Sequence, residues 1–191
     1  MAAQQEKPIS KRKIPRKATP RYLENAALYY LERFATSVEN LRRVLMRKVE
    51  RSAHHHGADR DEGARIVDDL IGRFLKLSLL DDRLYSEGKV RAFRRQGNST
   101  RSIRAKLLTK GVPFDVIEDT LMNEVREGPN PELAAASRLA RRRRLGPWRD
   151  SRDRTERREK DLAALGRAGF SYDVALRIID AETAEDLETL F

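Results

Sequence analysis

Ser99–Lys110 reads STRSIRAKLLTK, and 62 positions earlier Ser37–Lys48 reads SVENLRRVLMRK. Ser, Arg, Leu and Lys coincide, and an aliphatic residue coincides at Leu41 and Ile103. A second pair lies 58 positions apart: Gly111–Ile117 is GVPFDVI and Gly169–Ala175 is GFSYDVA. Gly, Asp and Val coincide there, with an aromatic residue before the Asp in both copies. Self-similarity at such a period marks small units that bury a full core only by stacking on one another. Around each copy the order is long helix, short helix, turn, helix. The expected fold is all-α, an elongated array of three tandem three-helix repeats. In that reading the first unit replaces the tight Gly turn by a longer His-containing loop.

The flanking sequence supplies the helix signals. Thr19–Pro20 is a helix start, with Thr as N-cap and Pro in the first turn. Leu23, Ala26, Ala27, Tyr30, Leu31 and Phe34 then recur at helical spacing. Thr36–x–x–Glu39 reads as a capping box for a second helix. Ala53–Arg60, which holds His54, His55, His56 and Gly57, reads as a loop. Asp81–Asp82 caps a central helix, Gly97–Asn98–Ser99 breaks it, and Gly111 ends the next. Gly128–Pro129–Asn130–Pro131 reads as a linker, with Asn130 and Pro131 capping and opening a further helix. Gly146–Pro147–Trp148 interrupts that helix. The run 149–160 is almost wholly charged, and a short helix is expected around Leu162 and Leu165. No alternating β-branched run suggests a strand. The resulting division is a disordered basic segment 1–18, repeats at 19–79, 80–128 and 129–181, and an acidic tail 182–191.

Composition bounds the function. The chain has 191 residues, 40 Lys+Arg against 30 Asp+Glu, and a formal charge of +10. Charged residues are 37% and hydrophobic ones 39%, which suits thin helical layers with charged outer faces. The absence of Cys excludes disulfides, Cys-ligated metals and a thiol nucleophile. No apolar run is long enough for a bilayer span. The start MAAQQEKPIS has no apolar core of a secretory signal, so a cytoplasmic location is expected. GxxxxGK[ST], GxGxxG, GxSxG and HExxH are all absent, leaving an enzyme reading without support. No cofactor or metal is expected: three adjacent His in a loop rarely share a tetrahedral site. Asp81 and Asp82 are better explained as helix-start carboxylates than as a catalytic pair.

The charge is blocked along the chain. Residues 89–110 hold Lys89, Arg91, Arg94, Arg95, Arg101, Arg104, Lys106 and Lys110 and no acid. Residues 138–160 hold eleven bases against four acids, and Arg141, Arg142, Arg143 and Arg144 are consecutive. Residues 111–137 and 170–191 are each net acidic. Basic stripes are the electrostatic footprint of a polyanion partner, although Arg and Lys also serve simply to solvate helix faces. Arg91, Arg94, Arg95, Arg101, Arg104, Lys106 and Lys110 are the first candidate contacts, and Arg141–Arg144 the second. Four consecutive Arg go all round a helix, so at least one faces inward or sits at a helix end. Trp148 reads as a plug between units. Tyr22, Tyr29, Tyr30 and Tyr85 read as core or junction residues. Leu187, Leu190 and Phe191 give the acidic tail a small apolar face that could dock as a helix.

Several motifs in order resemble one family. They are Leu31–Glu32–Arg33–Phe34; Ser37–x–x–x–Leu41–x–x–x–Leu45; Leu80–Asp81–Asp82–x–x–Tyr85 followed by Arg94 and Gly97; Ile103–x–x–x–Leu107–x–x–Lys110–Gly111–Val112; and Gly169–Phe170–Ser171–Tyr172. Over about residues 20–180 the chain resembles the RecX family, bacterial regulators of the RecA recombinase. Against that pattern the first unit carries an insertion with three His. The resemblance implies a non-enzymatic, monomeric protein of tandem three-helix repeats. Such proteins bind in the groove of the RecA–DNA filament, bridge its protomers and inhibit ATPase, strand-exchange and coprotease activities. RecA is thus the expected partner, with added contact to single- or double-stranded DNA. The competing reading is a helical protein that binds nucleic acid directly.

Overall fold

The computed structural model describes residues 14–127 and 130–188, and every regular element among them is helical. Three helices come first: α1 (Pro20–Arg33), α2 (Val38–His56) and α3 (Arg60–Lys76). They are followed by α4 (Asp82–Arg95), α5 (Thr100–Thr109) and α6 (Phe114–Glu127). The last group is α7 (Pro131–Arg143), a single 3-10 turn at Gly146–Trp148, α8 (Ser151–Arg167), α9 (Tyr172–Ile179) and the short α10 (Ala184–Glu188). No described helix is long and apolar enough to cross a membrane.

Three separate apolar clusters sit on these three groups. The first joins Leu23, Leu41, Leu45, Val49, Val67 and Phe74, and includes Leu80. The second joins Val90, Ile103, Leu107, Val112, Ile117 and Leu121. The third is built on Leu139, Leu162, Leu165, Phe170, Ile178 and Ile179. Each is thin, as the modest apolar fraction requires. The joints between them are built from polar groups.

The joints between groups repeat one arrangement. Ser37 is the N-cap of α2: its hydroxyl accepts from the Asn40 amide at 3.2 Å and donates to the Lys110 carbonyl at the end of α5. Ser99 is the N-cap of α5: its hydroxyl accepts from the Ser102 amide at 3.2 Å and donates to the Ala168 carbonyl at the end of α8, 2.7 Å away. Both serines are fully buried. One hydroxyl therefore satisfies an orphan amide of one helix and an orphan carbonyl of another. The positive end of α2 faces the negative end of α5, and that of α5 faces that of α8, so the helix dipoles run head to tail. The first helix of the following group adds a carboxylate. Asp82 accepts from the Val38 amide at 2.9 Å, and Glu132 accepts from the Thr100 amide at 2.9 Å. Burial pushes the Asp82 carboxyl above its ordinary range, while the Val38 amide pulls it back down.

Gly111 and Gly169 complete the joints. Their φ values are +76° and +92°, in the left-handed region that favours glycine. A Cβ at Gly111 would run into the Glu39 side chain, and one at Gly169 would lie 2.6 Å from the Ser99 hydroxyl. The two sequence matches, Ser37/Ser99 and Gly111/Gly169, are thus the two sides of the same joint. The N-cap of α8 is Asp150, which is exposed; an ionised carboxylate has no proton to donate to a carbonyl.

Arg94 reinforces the second joint. It is 5% exposed, so its charge must be neutralised in place. Its guanidinium donates to Glu124 of α6 at 2.9 Å, Glu132 of α7 at 2.6 Å, Thr100 at 2.7 Å and the Asn98 carbonyl at 3.2 Å. Burial opposes the charge, but these carboxylate hydrogen bonds outweigh it and hold the Arg94 pKa above its usual value. A single side chain thereby ties α4, α5, α6 and α7 together.

Several expectations are corrected. The His segment is not a loop: α2 runs through His56, and Gly57, Ala58 and Asp59 alone lead into α3. The first group therefore has a short Gly turn too, and the His residues extend α2 instead. Ser52, buried on α2, accepts from the Ala18 amide, and His56 contacts the Pro15 carbonyl, so the far end of α2 anchors residues 15–18. The N-cap of α2 is Ser37 and not Thr36, whose hydroxyl takes the Asn40 side-chain amide. Asp81 caps α4, whereas Asp82 serves the neighbouring helix. Asn130 makes no side-chain cap. From Ser151 the charged run belongs to one long helix with Leu162 and Leu165, and Arg154 and Arg158 reach the end of α9 instead of facing only solvent. Trp148 packs within the third cluster and not between groups. Leu187 is core, not a docking face. Residues 1–13, Gly128, Pro129, Leu190 and Phe191 lie outside the described residues.

Two substitutions test this frame. Ser99→Asp keeps an N-cap acceptor but sets a carboxylate against the Ala168 carbonyl, so it should lower stability by about 1–3 kcal/mol in denaturant melts. Wild-type stability would show that the hydroxyl relay does not hold the joint. Arg94→Met strands two acids and should cost about 3–5 kcal/mol. Adding Glu124→Gln should recover part of that loss, and a double variant no better than the single would contradict the network.

Candidate functional site

The second joint is bordered by a groove of about 590 Å³. Its lining includes the small residues Gly97, Ala105, Gly166 and Gly169. Its walls carry Arg101 from α5, Arg142 and Arg143 from the end of α7, and Arg167 from the end of α8. No acidic residue lines it. Arg101, Arg143 and Arg167 are exposed and have no acidic partner among the described residues. Arg142 donates to the Gln96 carbonyl at 2.8 Å, which fixes its stem across the end of α4.

The helix ends explain why these cations gather. Arg142, Arg143 and Arg167 occupy last turns, where cations are favoured by the C-terminal end of the dipole. α7 stops at Arg143, and Arg144 adopts φ +54° as it turns away. The four consecutive Arg thus sit at a helix end, one of the two arrangements their spacing allowed, and all four are exposed. The groove can hold an anion bidentately through more than one guanidinium, whether phosphate or carboxylate.

The other sequence candidates fall in different places. Arg91 and Arg95 are exposed on α4, and Lys110 is exposed at the end of α5. Lys106 is not in the groove lining; it donates to Asn98, which is, and lies 4.9 Å over the Phe93 ring. Arg104 pairs bidentately with Glu118 of α6 at 2.5 and 2.9 Å, and this pairing holds the Glu118 carboxyl below the usual carboxylate range. Arg94 is the buried tie already described, whereas Arg91 and Arg95 beside it on α4 are exposed. Of the eleven candidates, the groove gathers Arg101, Arg142 and Arg143. Arg167 was not singled out in the sequence, although it stands two residues before the repeat-matched Gly169 and is thereby placed beside the joint.

The remaining buried charges are structural. Asp161, 2% exposed, accepts two hydrogen bonds from Arg149 at 2.7 and 3.0 Å and one from the Gly146 amide at 3.0 Å. It pins the 3-10 turn to α8. No group of three or more His, Cys, Asp or Glu among the described residues is placed to hold a metal ion. His54, His55 and His56 occupy the last turn of α2.

No family model matches the chain. Curated proteins do. It is 43% identical over 173 residues to the "Regulatory protein RecX" of Myxococcus xanthus, covering 90% of this chain and 91% of that one. It is 30% identical over 174 residues to the "Regulatory protein RecX" of Agrobacterium fabrum, covering 88% and 87%. The crystal structure of RecX from Lactobacillus salivarius has the same fold, with a TM-score of 0.61 and 23% identity over 89% of this chain and 97% of that one. With identity of this extent along nearly the whole length, and with a shared helical fold, the chain belongs to the RecX family of regulatory proteins.

Proposed function

We propose that this protein binds the RecA–DNA filament as a single chain and inhibits RecA's ATPase, strand-exchange and coprotease activities, so modulating DNA repair and recombination. The observation that carries the reading is the convergence of Arg101, Arg142, Arg143 and Arg167, from three helices, on a groove without acids. A filament offers DNA phosphates and acidic protein surface at regular intervals. Three head-to-tail helical units, taken as tandem repeats, make a long body able to touch several protomers at once. Linked weak contacts then add through effective concentration, without one deep pocket. The protein acts by binding and not by catalysis, in keeping with relatives named regulatory proteins.

A direct nucleic-acid-binding role is the second reading, favoured by the same arginines, since guanidinium forks fit phosphate as well as carboxylate. The two differ in what is bound most tightly. Bare DNA should show a steep salt slope of about 0.7–0.9 per phosphate contacted. A filament regulator should prefer RecA-coated DNA by a wide margin.

The test is RecA's single-stranded-DNA-dependent ATPase, titrated with this protein at substoichiometric ratios. Inhibition at ratios too low to coat the DNA is the expected result. Replacing Arg101, Arg142, Arg143 and Arg167 together by Gln should raise the half-inhibitory concentration at least tenfold at a temperature where circular dichroism shows the helices intact. Full inhibition by that variant would remove the groove from the account. No inhibition by the wild type, with tight binding to bare DNA, would favour the second reading.

A further inference from the structure

A second basic groove lies on the first group of helices. Its volume is about 570 Å³, and it runs between α1, the segment before it and α2. Arg16, Lys17, Arg21 and Lys48 supply its charge, and no acid lines it. Unlike the groove at the second joint, it is also aromatic, with Tyr22 and Tyr29 in its wall. Tyr29 is 58% exposed, contrary to the core or junction role expected of it. Its ring is therefore available to a ligand at this groove.

The pattern along α1 is regular. Arg21, Asn25, Tyr29 and Arg33 follow at intervals of four, so they form one stripe, and all four are exposed. At 1.5 Å per residue the stripe is about 18 Å long. Arg33 lies over the Tyr29 ring at 4.8 Å, and Lys48 over the Tyr22 ring at 5.6 Å. Arg21 and Arg33 have no acidic partner among the described residues. Cations at both ends, an exposed ring braced on one face by a guanidinium, and an amide between them are the parts a single nucleic-acid strand requires. Phosphates meet the cations, an unpaired base stacks on the phenol, and the Asn25 amide meets a base edge. A duplex hides its base faces and can use only the cations.

We infer that the stripe Arg21–Asn25–Tyr29–Arg33, with Tyr22 and Lys48, is a stacking site for single-stranded nucleic acid, distinct from the groove at the second joint. It does not depend on the recombinase reading, since its ligand is the free strand. An acidic protein segment would satisfy the cations but would leave Tyr29 unused.

The experiment is equilibrium binding of a fluorescein-labelled oligothymidylate to the full chain, beside a labelled duplex, with no recombinase present. Tyr29→Ala should weaken oligothymidylate binding about fivefold or more, the loss of one stacked base, and leave duplex binding within about twofold. Tyr29→Phe should keep the wild-type affinity. Arg21→Gln with Arg33→Gln should lower the single-strand salt slope by about 1.4, the share of two phosphates. Thermal unfolding of each variant at the wild-type temperature establishes that the fold is intact, as expected for changes at exposed helix positions. Equal losses on single strand and duplex, no loss on the single strand, or displacement of oligothymidylate by polyglutamate as readily as by unlabelled oligothymidylate would each overturn the proposal.

Discussion

A buried serine hydroxyl that is shared between two helices holds this architecture together. Ser37 and Ser99 each cap the start of one helix while donating to the last carbonyl of the equivalent helix in the next group. Neither apolar cluster beside such a joint is large, and a thin core alone does not fix the angle between two small units. Polar contacts that are fully satisfied and buried do fix it, because any rotation leaves an amide or carbonyl unpaired away from water. The Gly at the end of α5 and of α8 lets the partner helix approach, and the carboxylate of Asp82 or Glu132 closes the remaining amide. Head-to-tail alignment of α2, α5 and α8 follows from these few groups.

The same joint carries different electrostatics at its two occurrences. Glu39 stands at the first joint where Arg101 stands at the second, and Thr109 stands where Arg167 stands. At the first joint Glu39 pairs with Arg42 and Arg43, and Arg42 also pairs with Asp68, so two acids meet two cations. At the second the cations accumulate with no acid in the lining. The backbone geometry is a scaffold requirement common to both, whereas the charge is free to vary and differs just where the candidate interface lies. This separation of scaffold from surface is what a protein needs if it is to present different contacts at successive units of a repetitive partner.

Much of this was legible in the sequence, because helix starts, helix stops and the repeat are local signals. Ser37/Ser99 and Gly111/Gly169 were visible as matches, but their meaning as two sides of one joint needed the third dimension. The failures share a cause. The His run looked like a loop through its composition, yet nothing in it forbids a helix, and the true stop was Gly57 one residue later. Arg94 looked like its exposed neighbours Arg91 and Arg95, because burial of a charge depends on partners 30 and 38 residues away. Arg167 stands in no cluster of charge along the chain, and the groove collects cations from helix ends that are distant in sequence.

The most direct measurement of the central claim uses a variant that keeps every groove arginine and breaks only the joint. RecA's DNA-dependent ATPase would be titrated with Ser99→Asp at a temperature where circular dichroism shows the helices intact. The account predicts several-fold weaker inhibition, because α5 and α8 no longer hold Arg101 and Arg167 on one groove. Inhibition equal to the wild type would contradict it, and would mean that the arginines act without the geometry that the serine joint imposes.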